Sequence, residues 1–256
     1  MSLTVDLNAD MGESFGAWQM GDDAALLGIV TSANVACGFH AGDHEVMAKT
    51  LRLAKAAGVA VGAHPGFADL QGFGRRPIPG FTADQLASLV AAQVGAMIGI
   101  ARLVDVELRH VKLHGALSNM AMVDRAMADA CLGAAARVLP GAIQFVLPGT
   151  ALEDAALALR APIAREIFAD RGYAPDGKLL PRSHPDAMLH DPAVIVPRIL
   201  RILDTGTIIA HDGTLIPLKP DTICLHGDEP HAVRNAEHLR HALEQAGVRV
   251  AAPERP

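Results

Sequence analysis

Leu108-Arg109-His110-Val111-Lys112-Leu113-His114-Gly115 is the stretch on which the fold turns. It reads as a short strand, and alternate side chains of a strand share a face, so His110, Lys112 and His114 point the same way. Three ionisable groups on one face, running out at a glycine, do not suit a strand buried only for packing. They suit a strand that carries chemistry at its C-terminal end, as in a parallel α/β barrel.

The pattern repeats in both directions along the chain. Leu3–Asn8 reads as a strand that places Asp6 and Asn8 on one face, with Asp10 on the same face if the strand stays extended. Ala33–Cys37 leads to His40 and Asp43, and Val59–Ala63 ends at His64. Ile143–Leu147 is a fifth strand. Ile163–Phe168 carries Glu166 and precedes Asp170-Arg171, and Thr222–Leu225 leads into His226 and Asp228. Helical runs lie between them at His44–Ala57, Thr82–Leu103, Asn119–Val138, Ala151–Leu159, Pro192–Leu203 and His231–Ala246. Thr82 with Gln85 predicts a capping box, and Gly58 and Gly247 predict left-handed helix ends. Strand and helix in alternation imply right-handed βαβ units and a parallel sheet.

About seven strands in 256 residues predict an α/β fold: an irregular seven-stranded (β/α) barrel, TIM-like, spanning residues 1–250 as one domain, with a loose tail at 251–256. A doubly wound open sheet is the rival, weakened in its dinucleotide-binding form because no GxGxxG follows a strand. Two segments leave the rhythm. Residues 207–218 read as a hairpin turning at Asp212-Gly213, and Tyr173–Arg182 as a loop or second small hairpin.

Half of the residues are hydrophobic, enough for a sizeable core, while aromatics are only 4%, so Ala, Val, Leu and Ile must build it. The net charge of −6 and the lack of a basic tract argue against nucleic acid as a partner. Three widely spaced cysteines without CxxC predict small core residues in a reducing, cytoplasmic setting. No signal peptide is visible. The apolar run Leu86–Val104, interrupted by Ser88, Gln93 and Arg102, reads as a helix pressed on a sheet rather than a membrane span.

No GxxxxGK[ST] is present, so a nucleotide must be held without a P-loop, and the absence of GxSxG weakens serine hydrolase chemistry. Gln71-Gly72-Phe73-Gly74-Arg75-Arg76 is a glycine loop with paired guanidinium groups suited to carboxylate or phosphate. Asp10, His40, His64 and His114 lie at the ends of different strands and are candidate metal ligands. Acid–base or anion-binding roles fit the same histidines.

Asp6-Leu7-Asn8-Ala9-Asp10-Met11-Gly12-Glu13 and Ser32-Ala33-Asn34-Val35-Ala36-Cys37-Gly38-Phe39-His40-Ala41-Gly42-Asp43 closely resemble the opening of the LamB/YcsF family, the 5-oxoprolinase A-subunits. The resemblance continues through Gly62–Gly66, Gly72–Arg76, His110–Lys112, Glu166–Arg171 with Tyr173, and His226–Asp228. Leu113 and Ser118 stand where the family usually has Pro and Tyr, a departure that touches substrate fit. The resemblance implies a barrel of the glycoside hydrolase/deacetylase type. It implies ATP-dependent opening of the lactam 5-oxoproline to L-glutamate, with Mg²⁺ accompanying ATP and partner subunits B and C. On that reading Asp10, Glu13 and Glu166 serve as base or Mg²⁺ ligand. His40, His64, His114 and His226 move protons or stabilise charge, with Asp228 beside them. Lys112, Asn8, Arg75, Arg76, Asn119 and Arg171 bind substrate or phosphate. Two other readings share the same polar mouth: a metal-dependent deacetylase or amidohydrolase acting alone, and a substrate-binding subunit that does no chemistry.

Overall fold

A computed structural model of the chain describes residues 3–225 and 232–254. The elements run β1 (Thr4–Met11), α1 (Asp23–Leu27), β2 (Ser32–Ala36), α2 (His44–Ala57), β3 (Ala60–His64), α3 (Ala83–Leu103), β4 (Leu108–Lys112), α4 (Gly115–Ala121), α5 (Arg125–Val138), β5 (Ile143–Val146), α6 (Ala151–Ala158), β6 (Ile163–Phe168), α7 (Pro192–Thr205), β7 (Thr207–Ile209), β8 (Leu215–Pro217), β9 (Thr222–Leu225), α8 (Ala232–Gln245) and β10 (Arg249–Val250). Strands β1 to β6 pair in sequence order, all parallel, and β9 closes the ring between β6 and β1. The result is the seven-stranded (β/α) barrel that the strand count predicts.

Strand parity sorts the side chains. Val5, Leu7, Ala9 and Met11 of β1 join the main apolar layer between barrel and helices. Inside the ring Ile143, Phe145 and Ala164 form a small apolar cluster of their own. Much of the remaining interior among the described residues is polar, and space there is tight. The His110 ring lies against Gly62, where an added Cβ would meet its Cδ2 at 2.2 Å, and the β3–β4 register shifts at Val61/Gly62.

Helix α3 is, among the described residues, the one helix long and apolar enough to cross a bilayer. It nevertheless buries Leu86, Val90, Val94 and Met97, and its buried Gln93 side chain bonds the Gly66 amide and carbonyl at 3.0 and 2.8 Å. That is a helix anchored to a barrel loop. Its N-terminus carries the Thr82–Gln85 capping box, and Gly58 and Gly247 take positive φ.

The boundaries differ from expectation in three places. The single helix expected over 119–138 is two, α4 and α5. Asp124 breaks it by capping α5, its side chain accepting from the Met127 amide at 3.1 Å. Helix α1 has only five residues, too short to show a period. Strand β10 lies parallel to β1, and the Ala251 amide still bonds the Val5 carbonyl at 3.0 Å. The expected hairpin is β7–β8, antiparallel, with Gly213 at φ +91° in its turn.

Candidate active site

Asp6, Asn8 and Asp10 form a column up the inside of β1. At its base the Asp6 carboxylate accepts from Thr31 and Ser32 hydroxyls at 2.6 and 2.8 Å and from Thr222 at 2.5 Å. Burial outweighs those donors and pushes the Asp6 pKa up to about 6. Above it the Asn8 amide donates to Thr222 at 2.7 Å, and its oxygen accepts from Asn34 at 2.7 Å. Asn34 also donates to Asp10 at 2.9 Å, while its own oxygen lies 2.8 Å from His110 Nε2. His110 stacks on Phe145 at 4.2 Å. The column is a continuous hydrogen-bonded network, which is how buried polar groups avoid their desolvation cost.

Lys112 caps this network. Its Nζ lies 3.0 Å from Asp10 Oδ1, 2.8 Å from Glu166 Oε1, 3.3 Å from Asn8 Oδ1 and 3.0 Å from Cys224 Sγ. Burial alone would lower the ammonium pKa, but the Asp10 and Glu166 carboxylates win and hold it well above the usual value. Lys112 is therefore a fixed cation. Burial pushes the Cys224 thiol well up and the Cys37 and Cys131 thiols up to about 12. Raised thiol pKa values argue against a nucleophilic role for these cysteines.

Three imidazoles and a carboxyl group gather beside Asp10. His64 Nε2 lies 3.3 Å from Asp10 Oδ2 and 3.0 Å from His114 Nδ1. His40 stacks on His114 with ring centroids 3.8 Å apart. Burial, then the neighbouring His64, lowers His114 to about 3, and burial with His114 lowers His40 well below the usual range. Glu13 is buried next to them.

A cavity of about 370 Å³ opens over this floor. Asp10, His64, Lys112 and His114 form its base, and Arg75, Ser118 and Asn119 one side. The opposite side is the excursion after β6: Lys178, Leu179, Leu180, Pro181 and Arg182. Arg171 lines the cavity too, but it donates to the Leu180 and Ala187 carbonyls at 2.6 and 3.1 Å and so pins that excursion. Asn8, Glu13, His40 and Glu166 lie behind the lining. Arg76 turns outward to Asp69 and does not reach the cavity. His226 and Asp228 lie outside the described residues. Asn34, Cys224 and Phe168 also belong to the site. The parity of β2, β6 and β9 places all three inward. Parity says nothing of Lys178 and Arg182, because an irregular loop has no period.

The LamB/YcsF family model matches residues 5–256. Among curated relatives, a 5-oxoprolinase A-subunit from Ruegeria pomeroyi is 54% identical over 98% of this chain and 99% of its own length. One from Rhodopseudomonas palustris is 50% identical over 97% of each. The crystal structure of a lactam utilization protein from Thermus thermophilus superposes with TM-score 0.92 at 43% identity, over 98% of this chain and 100% of that one. A family 4 carbohydrate esterase from Streptomyces lividans reaches TM-score 0.51 at 10% identity, over 98% of this chain and 93% of that one, a likeness of fold alone.

Proposed function

The chain belongs to the LamB/YcsF family, and from that premise we propose that it binds 5-oxoproline in this cavity as the A-subunit of an ATP-dependent 5-oxoprolinase. The observation that carries the reading is Lys112. It is an ammonium group at the floor of an open cavity, backed by two carboxylates, and Arg75, Lys178 and Arg182 line the same cavity. Such cations suit a substrate carboxylate and a transferred phosphoryl group.

A lactam carbonyl is a poor electrophile. Transfer of the ATP γ-phosphoryl group to its oxygen releases ADP and leaves an imidate ester. Water then adds to the ring carbon, and the C–N bond breaks as the nitrogen takes a proton. A second water hydrolyses the resulting acyl phosphate to glutamate and phosphate. In this scheme Lys112 and Arg75 offset charge on the phosphorylated oxygen. Asp10, which lines the cavity, accepts the proton of the attacking water. Partner subunits B and C complete the enzyme, and Mg²⁺ accompanies the nucleotide.

The test is reconstitution with the B and C subunits, ATP, Mg²⁺ and 5-oxoproline, omitting each in turn while glutamate and ADP are measured. Glutamate that needs this chain and ATP supports the reading. Turnover without ATP would replace it by direct amide hydrolysis, and wild-type turnover by a folded Lys112→Met variant would remove Lys112 from the mechanism.

A further inference from the structure

The protons on two of the three clustered imidazoles are fixed by backbone carbonyls. His64 Nδ1 lies 2.8 Å from the Lys112 carbonyl oxygen. A carbonyl only accepts, so Nδ1 carries the proton and Nε2 a lone pair. His114 Nε2 lies 2.8 Å from the Phe73 carbonyl oxygen, so its lone pair is on Nδ1. Those two lone pairs face each other across 3.0 Å, and the His64 one also faces an Asp10 oxygen at 3.3 Å. Acceptors meeting acceptors at this range repel unless a cation or a proton stands between them.

A shared proton would satisfy His64 and His114 but nothing else. His40 is 1% exposed, and neither of its ring nitrogens has a hydrogen-bond partner. Glu13 brings a buried carboxyl group to the same spot. One ligand atom from each of Glu13, His40, His64 and His114 lies within 4.8 Å of all the others. The backbone is shaped around this cluster. A Cβ on Gly66 would fall 2.7 Å from His40 Nδ1, and one on Gly74 would fall 2.7 Å from His40 Cβ and 2.8 Å from His114 Cδ2.

We propose that His64 Nε2, His114 Nδ1 and Glu13 hold a divalent transition-metal ion, with His40 as the further ligand. Three imidazoles and one carboxylate are the donor set of Zn²⁺, Co²⁺ or Fe²⁺, not of Mg²⁺ or Ca²⁺. His40 reaches the ion by turning out of its stack on His114, a motion that breaks no hydrogen bond. The Lys112 and Phe73 carbonyls are the outer partners that set each ligand's tautomer. Asp10 stands outside the four-residue group and flanks it, its Oδ1 engaged by Lys112 and Asn34 and its Oδ2 3.3 Å from His64 Nε2. His64 and His114 both line the cavity, so the ion keeps a coordination position open to whatever enters.

Metal uptake is measurable without substrate, ATP or partners, so its failure leaves the lactam reading standing. Protein stripped with a chelator is titrated with Co²⁺, followed by visible absorption, and then challenged with Zn²⁺. We expect one equivalent bound, with the intense bands of a low-coordinate, imidazole-rich site, discharged by Zn²⁺. His64→Ala and His114→Ala, checked for folding by circular dichroism, should each weaken binding by at least about 100-fold. His211→Ala is the control, because His184, Asp186 and His211 form a second, more exposed group of possible ligands. Failure of the wild type to take up Co²⁺ or Zn²⁺ overturns the proposal and leaves a shared proton as the explanation. Uptake that survives both barrel variants and disappears in His211→Ala overturns it as well.

Discussion

The two sides of the cavity are built by different physics. The barrel side is a set of strand ends whose side chains are aimed by parity and locked by short buried bonds: Asp10, His64, Lys112 and His114. The other side is the excursion over residues 173–189, a loop with two isolated bridges, Arg171 to Met188 and Tyr173 to Leu179. It is held from behind. Tyr173 accepts from the Phe168 amide at 2.9 Å, Arg171 bonds two loop carbonyls, and Arg198 bonds the Arg171 carbonyl at 2.8 Å and sits over the Tyr173 ring. The rigid side holds the groups placed in the chemistry. The loop side supplies Lys178 and Arg182, and is the side that can vary without disturbing the barrel.

Damage should therefore grade with the side that is struck. Lys112→Met strikes the barrel side hardest. It strands Asp10 and Glu166 as buried carboxylates without their cation and should cost ~3–5 kcal/mol in denaturant unfolding, along with the activity. An effect under ~1 kcal/mol would mean that water already compensates the pair.

Next comes the base of the column. The folded pKa of Asp6, about 6, stands above its unfolded value of 3.8, so the folded state binds the proton more tightly. The contribution is fully present below pH 3.8 and is lost as pH rises through about 6. Stability should therefore fall by up to about 3 kcal/mol between about pH 4 and pH 7 from this group. Thr31, Ser32 and Thr222 donate to it and the Glu166 charge opposes its ionisation. Urea unfolding of Asp6→Asn across that range should show a flatter slope, and an unchanged slope would place the titration elsewhere.

The loop side should respond more mildly. Tyr173→Phe leaves the buried Phe168 amide without its acceptor and should cost ~1–3 kcal/mol. The loss should appear as faster hydrogen exchange in residues 173–189 before global unfolding. Smallest is the split between the paired arginines. Arg75→Ala, at the cavity, should raise KM about tenfold, ~1.4 kcal/mol. Arg76→Ala, turned to Asp69, should leave it within about twofold. Equal effects would mean that the loop from Gly72 to Arg76 acts as one unit.

Much of the barrel side was legible in the chain because periodicity is local. Alternation along β1 and β4 aims Asp10 and Lys112 inward wherever those strands come to lie. What alternation cannot show is which inward group meets which. Asn34 meeting both Asn8 and Asp10, or Cys224 meeting Lys112, depends on how the strands line up around the ring, and the second pair is 112 residues apart in the chain. Arg75 and Arg76 read alike in sequence, and only the fold of their loop sends one to the cavity and the other to Asp69.

The sequence by itself determined the alternation of strand and helix, the inward face of each strand, and the family. These rest on side-chain period and on motif runs that need no neighbours to be read. The tertiary structure decided the rest. It neutralised the buried His40 and His114 by desolvation and held the Lys112 charge between two carboxylates. It also turned two imidazole lone pairs onto each other through carbonyls supplied by other segments. Such effects belong to distances between groups remote in the chain, and those exist only once the barrel has closed.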